Sequence, residues 1–256
     1  MGRRVYLFTG ATSGMGLAAA RHLTRNPDAT LIVGARAPGR AAALRDAVPA
    51  DRLQVLALDT SSLRSVAAFC DATEKALGAD GVIDAVACNA GLQIIGPHSL
   101  SADGHDLTFA TNHLGHFALV HRLLPRLARG AAVVSTASGT HDARERLARI
   151  FGFRGGLFRD AATVAAGDLD PVASTVQQGL DRYATSKLCN ILFTMEMARR
   201  VPPERARFVA FDPGLMPGTG LARDRSAIER WGWRNVMPAL RVMAGKVSSA
   251  ERSGQA

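Results

Sequence analysis

Short apolar runs alternate with longer stretches of helical period over most of this chain. The runs at 5–8, 30–33, 53–58, 82–88, 131–135 and 207–211 are almost continuously apolar, the pattern of strands buried on both faces. Residues 14–25, 63–77, 105–128 and 183–200 carry apolar positions at helical spacing. Strand alternating with helix argues for an α/β protein, a doubly wound parallel sheet in a single domain over 1–256. No repeat or linker divides it. Two stretches break the pattern. Residues 139–180 lack a clean period and carry Gly152, Gly155, Gly156, Gly167 and Gly179. Residues 214–250 open on Gly214 and include Trp231 and Trp233. Both follow strands, so they fall at the carboxyl edge where such sheets bind ligands. They read as a substrate-pocket insert and a C-terminal lid.

Composition narrows the class. A chain of 256 residues that is 47% hydrophobic can bury a sizeable core. No run is long enough to span a bilayer, so no stable membrane insertion is expected. No small-residue cleavage site follows Met1-Gly2-Arg3-Arg4, so 5–8 reads as a first strand rather than a signal peptide, with the cytoplasm as default compartment. Cys70, Cys88 and Cys189 are odd in number and unpaired in spacing, which fits buried free thiols better than disulfides or zinc. The net charge of +9 would suit an acidic partner, but 28 of the 31 basic residues are Arg and they form no block. Nucleic acid is therefore not expected as a partner, while one or two arginines remain available to a phosphorylated cofactor.

The chemistry lies in three short stretches. Gly10, Gly14 and Gly16, in Thr9-Gly10-Ala11-Thr12-Ser13-Gly14-Met15-Gly16, sit between the first strand and the first helix. Glycine there permits a tight turn and close approach to pyrophosphate, and the helix start offers free N–H groups and a positive dipole end. Thr12 and Ser13 can add hydroxyl contacts. Asn89-Ala90-Gly91 follows the fourth strand. Tyr183 and Lys187 are one helical turn apart on one face, where an ammonium would lower a phenol's pKa. A phosphate cradle upstream of such a pair reads as a nicotinamide-dependent oxidoreductase. The second strand ends in Ala35-Arg36 with no acid nearby. Arg36, helped by Arg40, can pair with a 2′-phosphate, which favours NADPH/NADP+ over NADH; otherwise it is a solvated surface residue. Asp59, next to Thr60, can meet the adenine amino group or cap the following helix.

Together these motifs resemble the short-chain dehydrogenase/reductase family from residue 4 to about 221. The resemblance implies a Rossmann-type fold. It implies Tyr183 as general acid/base, Lys187 as its tuner and ribose ligand, Ser138 as the substrate-orienting hydroxyl, and Asn112 as holder of a proton-relay water. By the same resemblance Met15 and Asn89–Gly91 join the cofactor contacts, Pro213 and Gly214 flank the nicotinamide, and Thr219 touches its carboxamide or the phosphates. Cys88-Asn89-Ala90, the string 111–117, 186–190 and 219–221 resemble the branch that includes light-dependent protochlorophyllide reductase and retinol-type dehydrogenases. So does the 45-residue separation of Ser138 from Tyr183. The photoenzyme has Tyr-Pro-Gly-Cys where this chain has Asp212-Pro213-Gly214-Leu215, and Thr or similar at the Ser138 position. Ordinary carbonyl–alcohol chemistry on a hydrophobic substrate is therefore expected ahead of light-driven C=C reduction, with a cofactor-binding sensor as the non-enzyme alternative. His141 and Leu215 are candidate pocket residues. His113 and His116 read as packed histidines before metal ligands. Family members continue beyond Ser253-Gly254-Gln255-Ala256 into a last strand, and pair through long helices, so both monomer and homodimer stay open.

Overall fold

A computed structural model describes residues 3–214 and 249–254. Six strands form one parallel sheet: β1 (Arg4–Thr9), β2 (Ala29–Ala35), β3 (Leu53–Ala57), β4 (Ile83–Cys88), β5 (Leu127–Thr136) and β6 (Ala206–Phe211), in the order β3-β2-β1-β4-β5-β6. The chain builds outward from β1 to β3, then returns to lay β4 on the other side of β1. β1 and β4 thus flank the topological switch point, where the chain leaves their ends in opposite directions and a crevice opens.

Successive residues of each strand face opposite layers. Leu7 and Ile32 pack on one face with Phe69, Leu119, Leu123, Phe193 and Met197; Phe8, Leu31 and Val33 pack on the other with Ala20 and Leu44. The first face is covered by α3 (Leu63–Leu77), α5 (Gly115–Leu123) and α8 (Thr175–Arg200); the second by α1 (Gly14–Leu23) and α2 (Ala42–Arg45). Between α4 (Leu107–Phe109) and α5 lies a π turn, Ala110–Leu114. Gly115 lets this run press on the neighbouring loop, since a Cβ there would collide with Thr60 O. Cys70, Cys88 and Cys189 are buried and free.

Three expectations about element limits change. The helix expected over 105–128 stops at Leu123, because Pro125 ends it in a 3₁₀ turn (Leu124–Arg126) and β5 starts at Leu127. α8 begins at Thr175, capped by Ser174, rather than at 183. Its Gly179 is needed for contact, because a Cβ there would stand 2.5 Å from Ile94 O. The stretch 139–180 is also not structureless: it holds a 3₁₀ turn (Gly139–His141), α6 (Arg146–Ile150), α7 (Ala161–Ala166) and the first turns of α8.

Charge pairs tie this stretch to α8. Arg154 reaches Asp170 and Asp181 (both 2.6 Å), and Arg182 pairs with Asp106 at 3.4 Å, both side chains being at most 3% exposed. Asp106 also caps α4 through Phe109 N (2.8 Å) and faces His98. Burial pushes its carboxyl above the usual range while that amide, Arg182 and His98 pull it down. Removing Arg182 strands a buried carboxylate, so Arg182→Met is expected to cost about 3–5 kcal/mol of unfolding free energy. Urea denaturation checks this; a loss below about 1 kcal/mol would show that the pair is not a structural tie.

Candidate active site

The switch point is held by one hydroxyl. Thr9 ends β1 and is fully buried. Its Oγ1 accepts the backbone N–H groups of Asn89 and Ala90, each at 2.9 Å. Asn89 returns the contact, its Nδ2 donating to Thr9 O (3.2 Å) and Gly10 O (2.9 Å). His116 completes the hub. Its Nδ1 faces Asn112 O at 3.1 Å, and a carbonyl only accepts, so Nδ1 carries the proton. Burial pushes this imidazole down to about 4, hence neutral. Nε2 is then an acceptor, and Thr9 donates its hydroxyl hydrogen to it at 2.8 Å.

The glycine turn lies directly above this hub. A Cβ on Gly10 would stand 2.8 Å from Ala90 Cα, and one on Gly16 would stand 2.7 Å from Asn89 Nδ2. Gly10 and Gly14 have φ of +69° and +56°, the left-handed region that favours glycine. Ser13 starts α1 without capping it by its side chain, and no acid occupies the first turn. The leading N–H groups are thus left for an anion.

A cavity of about 560 Å³ runs from this turn across the carboxyl edge of the sheet. Gly10, Thr12, Ser13, Gly14, Met15 and Gly16 line one part; Arg36, Asp59 and Thr60 line another, at the ends of β2 and β3. Asp59 does not cap α3. Ser62 does, while Asp59 accepts Ser61 N (3.0 Å) and the Ser61 hydroxyl (2.7 Å). Asn89, Ala90, Gly91, Ser138, Tyr183, Lys187, Asp212, Pro213 and Gly214 complete the polar wall, and Leu92, Leu147, Phe151 and Phe153 give apolar surface. Gln93 Nε2, Thr111 Oγ1 and Thr140 Oγ1 line the same cavity, buried and without a hydrogen-bond partner.

Tyr183 and Lys187 share a face of α8, with Nζ 5.7 Å from the phenol ring centroid. Nζ donates to Thr136 O at 2.9 Å. The direction expected for Tyr183 is reversed. Burial pushes its phenol up to about 12, and a hydrogen bond with Ser138 offsets this only in part. Burial likewise pushes Lys187 down to about 8. Helical spacing brings the two groups together but carries no information about desolvation, which is the largest influence on each here.

Asn112 is also differently employed. Its Oδ1 accepts Leu92 N (2.8 Å), and its Nδ2 donates to Leu92 O (2.9 Å) and Ser186 Oγ (3.0 Å). Both amide hydrogens are spent, so the side chain clamps the loop after β4 to α8 rather than offering a donor to a relay water, and it does not line the cavity. His141 is not a lining residue either; its Nδ1 lies 2.7 Å from Ser138 O. His113 packs beside Phe109 and Phe193 with Nδ1 3.0 Å from Asn190 Oδ1. Leu215, Thr219, Trp231, Trp233 and the side chain of Arg40 lie outside the described residues. Sequence reasoning missed Thr9, Gln93, Gly115 and Asp212 as parts of the site, and gave His116 no role beyond packing. The threonine directly ahead of the glycine turn was the legible signal among them.

A family model described as short chain dehydrogenase matches residues 4–147. Protochlorophyllide reductase A, chloroplastic, of Hordeum vulgare is 31% identical over 96% of this chain and 66% of its own length, so this chain spans just under two thirds of that relative. Protochlorophyllide reductase of Avena sativa is 30% identical, with 96% of this chain and 82% of that protein aligned. Among solved structures, an uncharacterized protein from Mycobacterium paratuberculosis has a TM-score of 0.66 at 32% identity, covering 93% of this chain and 76% of that one. A short-chain dehydrogenase/reductase from Serratia marcescens has a TM-score of 0.68 at 17% identity, covering 99% and 88%, and speaks to fold alone.

The buried neutral His116 makes stability depend on acid. Unfolded, a histidine titrates near 6.5; folded, this one titrates near about 4. Between those values the unfolded chain binds the extra proton, so His116's contribution is fully present above about pH 6.5 and is lost as pH falls towards 4. Urea denaturation across this window is expected to show a steeper loss for the native chain than for His116→Gln. Parallel curves would mean that His116 is not held neutral.

Proposed function

The chain belongs to the short-chain dehydrogenase family, on its protochlorophyllide reductase-like branch, and from that membership we propose that it is an NADP(H)-dependent oxidoreductase interconverting a carbonyl and an alcohol on a hydrophobic substrate. The observation that carries this is the convergence of Tyr183, Ser138 and Lys187 on one cavity that continues into the glycine turn at the switch point.

The residues present suit the cofactor. The backbone at Gly10 and Gly16 leaves no room for a side chain, α1 starts without a side-chain cap, and Thr111 and Thr140, both lining the cavity, carry buried hydroxyls without a hydrogen-bond partner among the described residues. Gly10, Thr12, Ser13, Gly14, Met15 and Gly16 would hold the pyrophosphate. Arg36 would take the 2′-phosphate through its planar fork. Asp59 and Thr60 would face the adenine, and Asn89–Gly91, Lys187, Pro213 and Gly214 the nicotinamide half. When bound, the nicotinamide supplies or accepts the hydride.

The protein's own residues handle the proton and the substrate oxygen. Tyr183, a phenol that burial lifts further above neutral pH, is ready to donate to the oxygen of a carbonyl being reduced. Ser138, hydrogen-bonded to Tyr183, would donate to the same oxygen and polarise it. Lys187 would bind the ribose and set its charge beside the phenol. Phe151, Phe153, Leu147 and Ala148 give the reacting region an apolar wall, which favours a hydrophobic substrate and excludes water.

The test is NADPH absorbance with a panel of hydrophobic aldehydes and ketones, and with protochlorophyllide, in darkness and under illumination. Dark oxidation of NADPH by a carbonyl is expected. Turnover confined to pigment and light would replace this reading with photoreduction, the activity named in the relatives from Hordeum vulgare and Avena sativa. Tyr183→Phe should lower turnover about 100- to 10,000-fold while leaving cofactor affinity nearly unchanged; a binding protein without catalysis would show no turnover to lose. Arg36→Ala should weaken NADPH at least about tenfold and leave NADH little altered. Equal losses for both cofactors would remove Arg36 from the 2′-phosphate.

A further inference from the structure

The buried acid–base pair has a charged neighbour that its helix does not supply. β6 ends at Phe211, which pairs with Thr136 and accepts Ala137 N–H at 2.8 Å. The next residue, Asp212, is thereby carried alongside Ser138 and Gly139. Its Oδ2 is 3.2 Å from where a Cβ on Gly139 would stand, and its Oδ1 accepts Gly214 N at 3.0 Å. The carboxylate lines the same cavity as Ser138, Tyr183 and Lys187.

Lys187 is 4% exposed, and among the described residues its hydrogen bond goes to a neutral carbonyl, Thr136 O. An ammonium in that setting is costly without a countercharge. The other titratable groups around the pair do not supply it in the same way. From the helix run over 107–123, His116 is neutral and His113 is bound to Asn190. From the segment after β5, His141 holds Ser138 O, and Glu145, which also lines the cavity with its Cγ 3.4 Å from the same Cβ position, is engaged at the start of α6, where its Oε1 accepts Leu147 N at 3.4 Å. Arg36 and Asp59 lie at the ends of β2 and β3.

Resting on the reading of Tyr183 and Lys187 as the acid–base pair, we propose that Asp212 is their built-in countercharge: a positioning residue that keeps Lys187 an ammonium and Tyr183 a phenol, and so sets the pH range of the reaction. The electrostatics agree in sign. Burial lowers Lys187 and Asp212 raises it; burial raises Tyr183 and Asp212 raises it further. Neutralising Asp212 therefore moves both titrations to lower pH. For carbonyl reduction, which needs the phenol and the ammonium, the alkaline limb moves to lower pH. Loss of a merely structural contact would lower the rate at all pH values and leave the limb in place.

The chain makes a direct test practical, because its lysines are only Lys75, Lys187 and Lys246. In protein labelled with ¹³C-lysine, the side-chain ε-methylene signals are three, and the one absent from Lys187→Arg reports Lys187. Its titration is followed in the native chain, in Asp212→Asn, and in Asp212→Glu. Asn retains an acceptor for Gly214 N–H; Asp212→Thr serves as a second neutral variant if Asn does not fold. The native midpoint is expected near about 8. The neutral variants should lower it by about half a unit or more, and Glu should hold it near the native value. A midpoint unchanged or raised in the neutral variants overturns the assignment. The titration needs neither substrate nor turnover. A shift in a chain that never oxidises NADPH would leave Asp212 as countercharge and sink the enzymatic reading; turnover with an unshifted Lys187 would do the reverse.

Discussion

The hydroxyl of Thr9 is the constraint on which the site depends. A doubly wound sheet must send the chain in opposite directions from β1 and β4, and at that divergence the ladder no longer satisfies the amides that follow β4. Asn89 N and Ala90 N would be left buried without partners. Thr9 accepts both and passes its own hydrogen to His116, so one side chain closes three accounts. The geometry allows the glycine turn and the Asn89 loop to approach within van der Waals contact, which is why Gly10 and Gly16 have no space for a Cβ.

The same bonding runs on towards Tyr183 and Lys187 at the other end of the cavity. His116 holds Asn112 O; the Asn112 side chain holds Leu92 and Ser186; Ser186 Oγ donates to Tyr183 O at 2.7 Å; and Lys187 and Asn190 both donate to Thr136 O. A frame of buried polar groups thus connects the glycine turn to Tyr183 and Lys187. Such a frame fixes donors in advance of reaction, so that reorganisation is not required when charge develops. The π turn at Ala110–Leu114 belongs to this logic: it lies where Asn112 must serve the loop and His116 must serve Thr9 from one helical run.

What the sequence disclosed follows from what periodicity encodes. The six described strands were legible because the inner ones are largely apolar throughout and the edge strands β3 and β6 are still short apolar runs, broken only by Gln54 and Arg207, and α3 was found to the residue because Ser62 and Gly78 bound it. The glycine turn and the Tyr183–Lys187 spacing were legible because local geometry alone makes them useful. The start of α8 was not: Gly179 looks like a breaker, yet it is required by the approach of Ile94 from far along the chain. Nor was the 139–180 stretch, which is tied down by contacts distant in sequence: Arg154 to Asp170 and Asp181, and Ala165 O accepting Asp106 N. Asp212 read only as a departure beside Pro213. Its place next to Ser138 is a consequence of β5–β6 register, which no local pattern expresses.

Burial explains why the pair cannot be understood from spacing alone. Water exclusion strengthens every hydrogen bond in the site. The same exclusion penalises each ion, driving Tyr183 up to about 12 and Lys187 down to about 8. Taken singly, both shifts favour the uncharged forms, a phenol beside an amine. A phenol suits a proton donor, but an amine forfeits the positive charge that steadies the phenolate left behind. A site that must stay dry and still keep its lysine charged therefore needs a fixed negative group within the same low-dielectric space, close enough to act on the ammonium but held off the reacting atoms. Asp212, tied down through Gly214 N–H, brought alongside Gly139 and lining the same cavity, is the carboxylate we propose for that role.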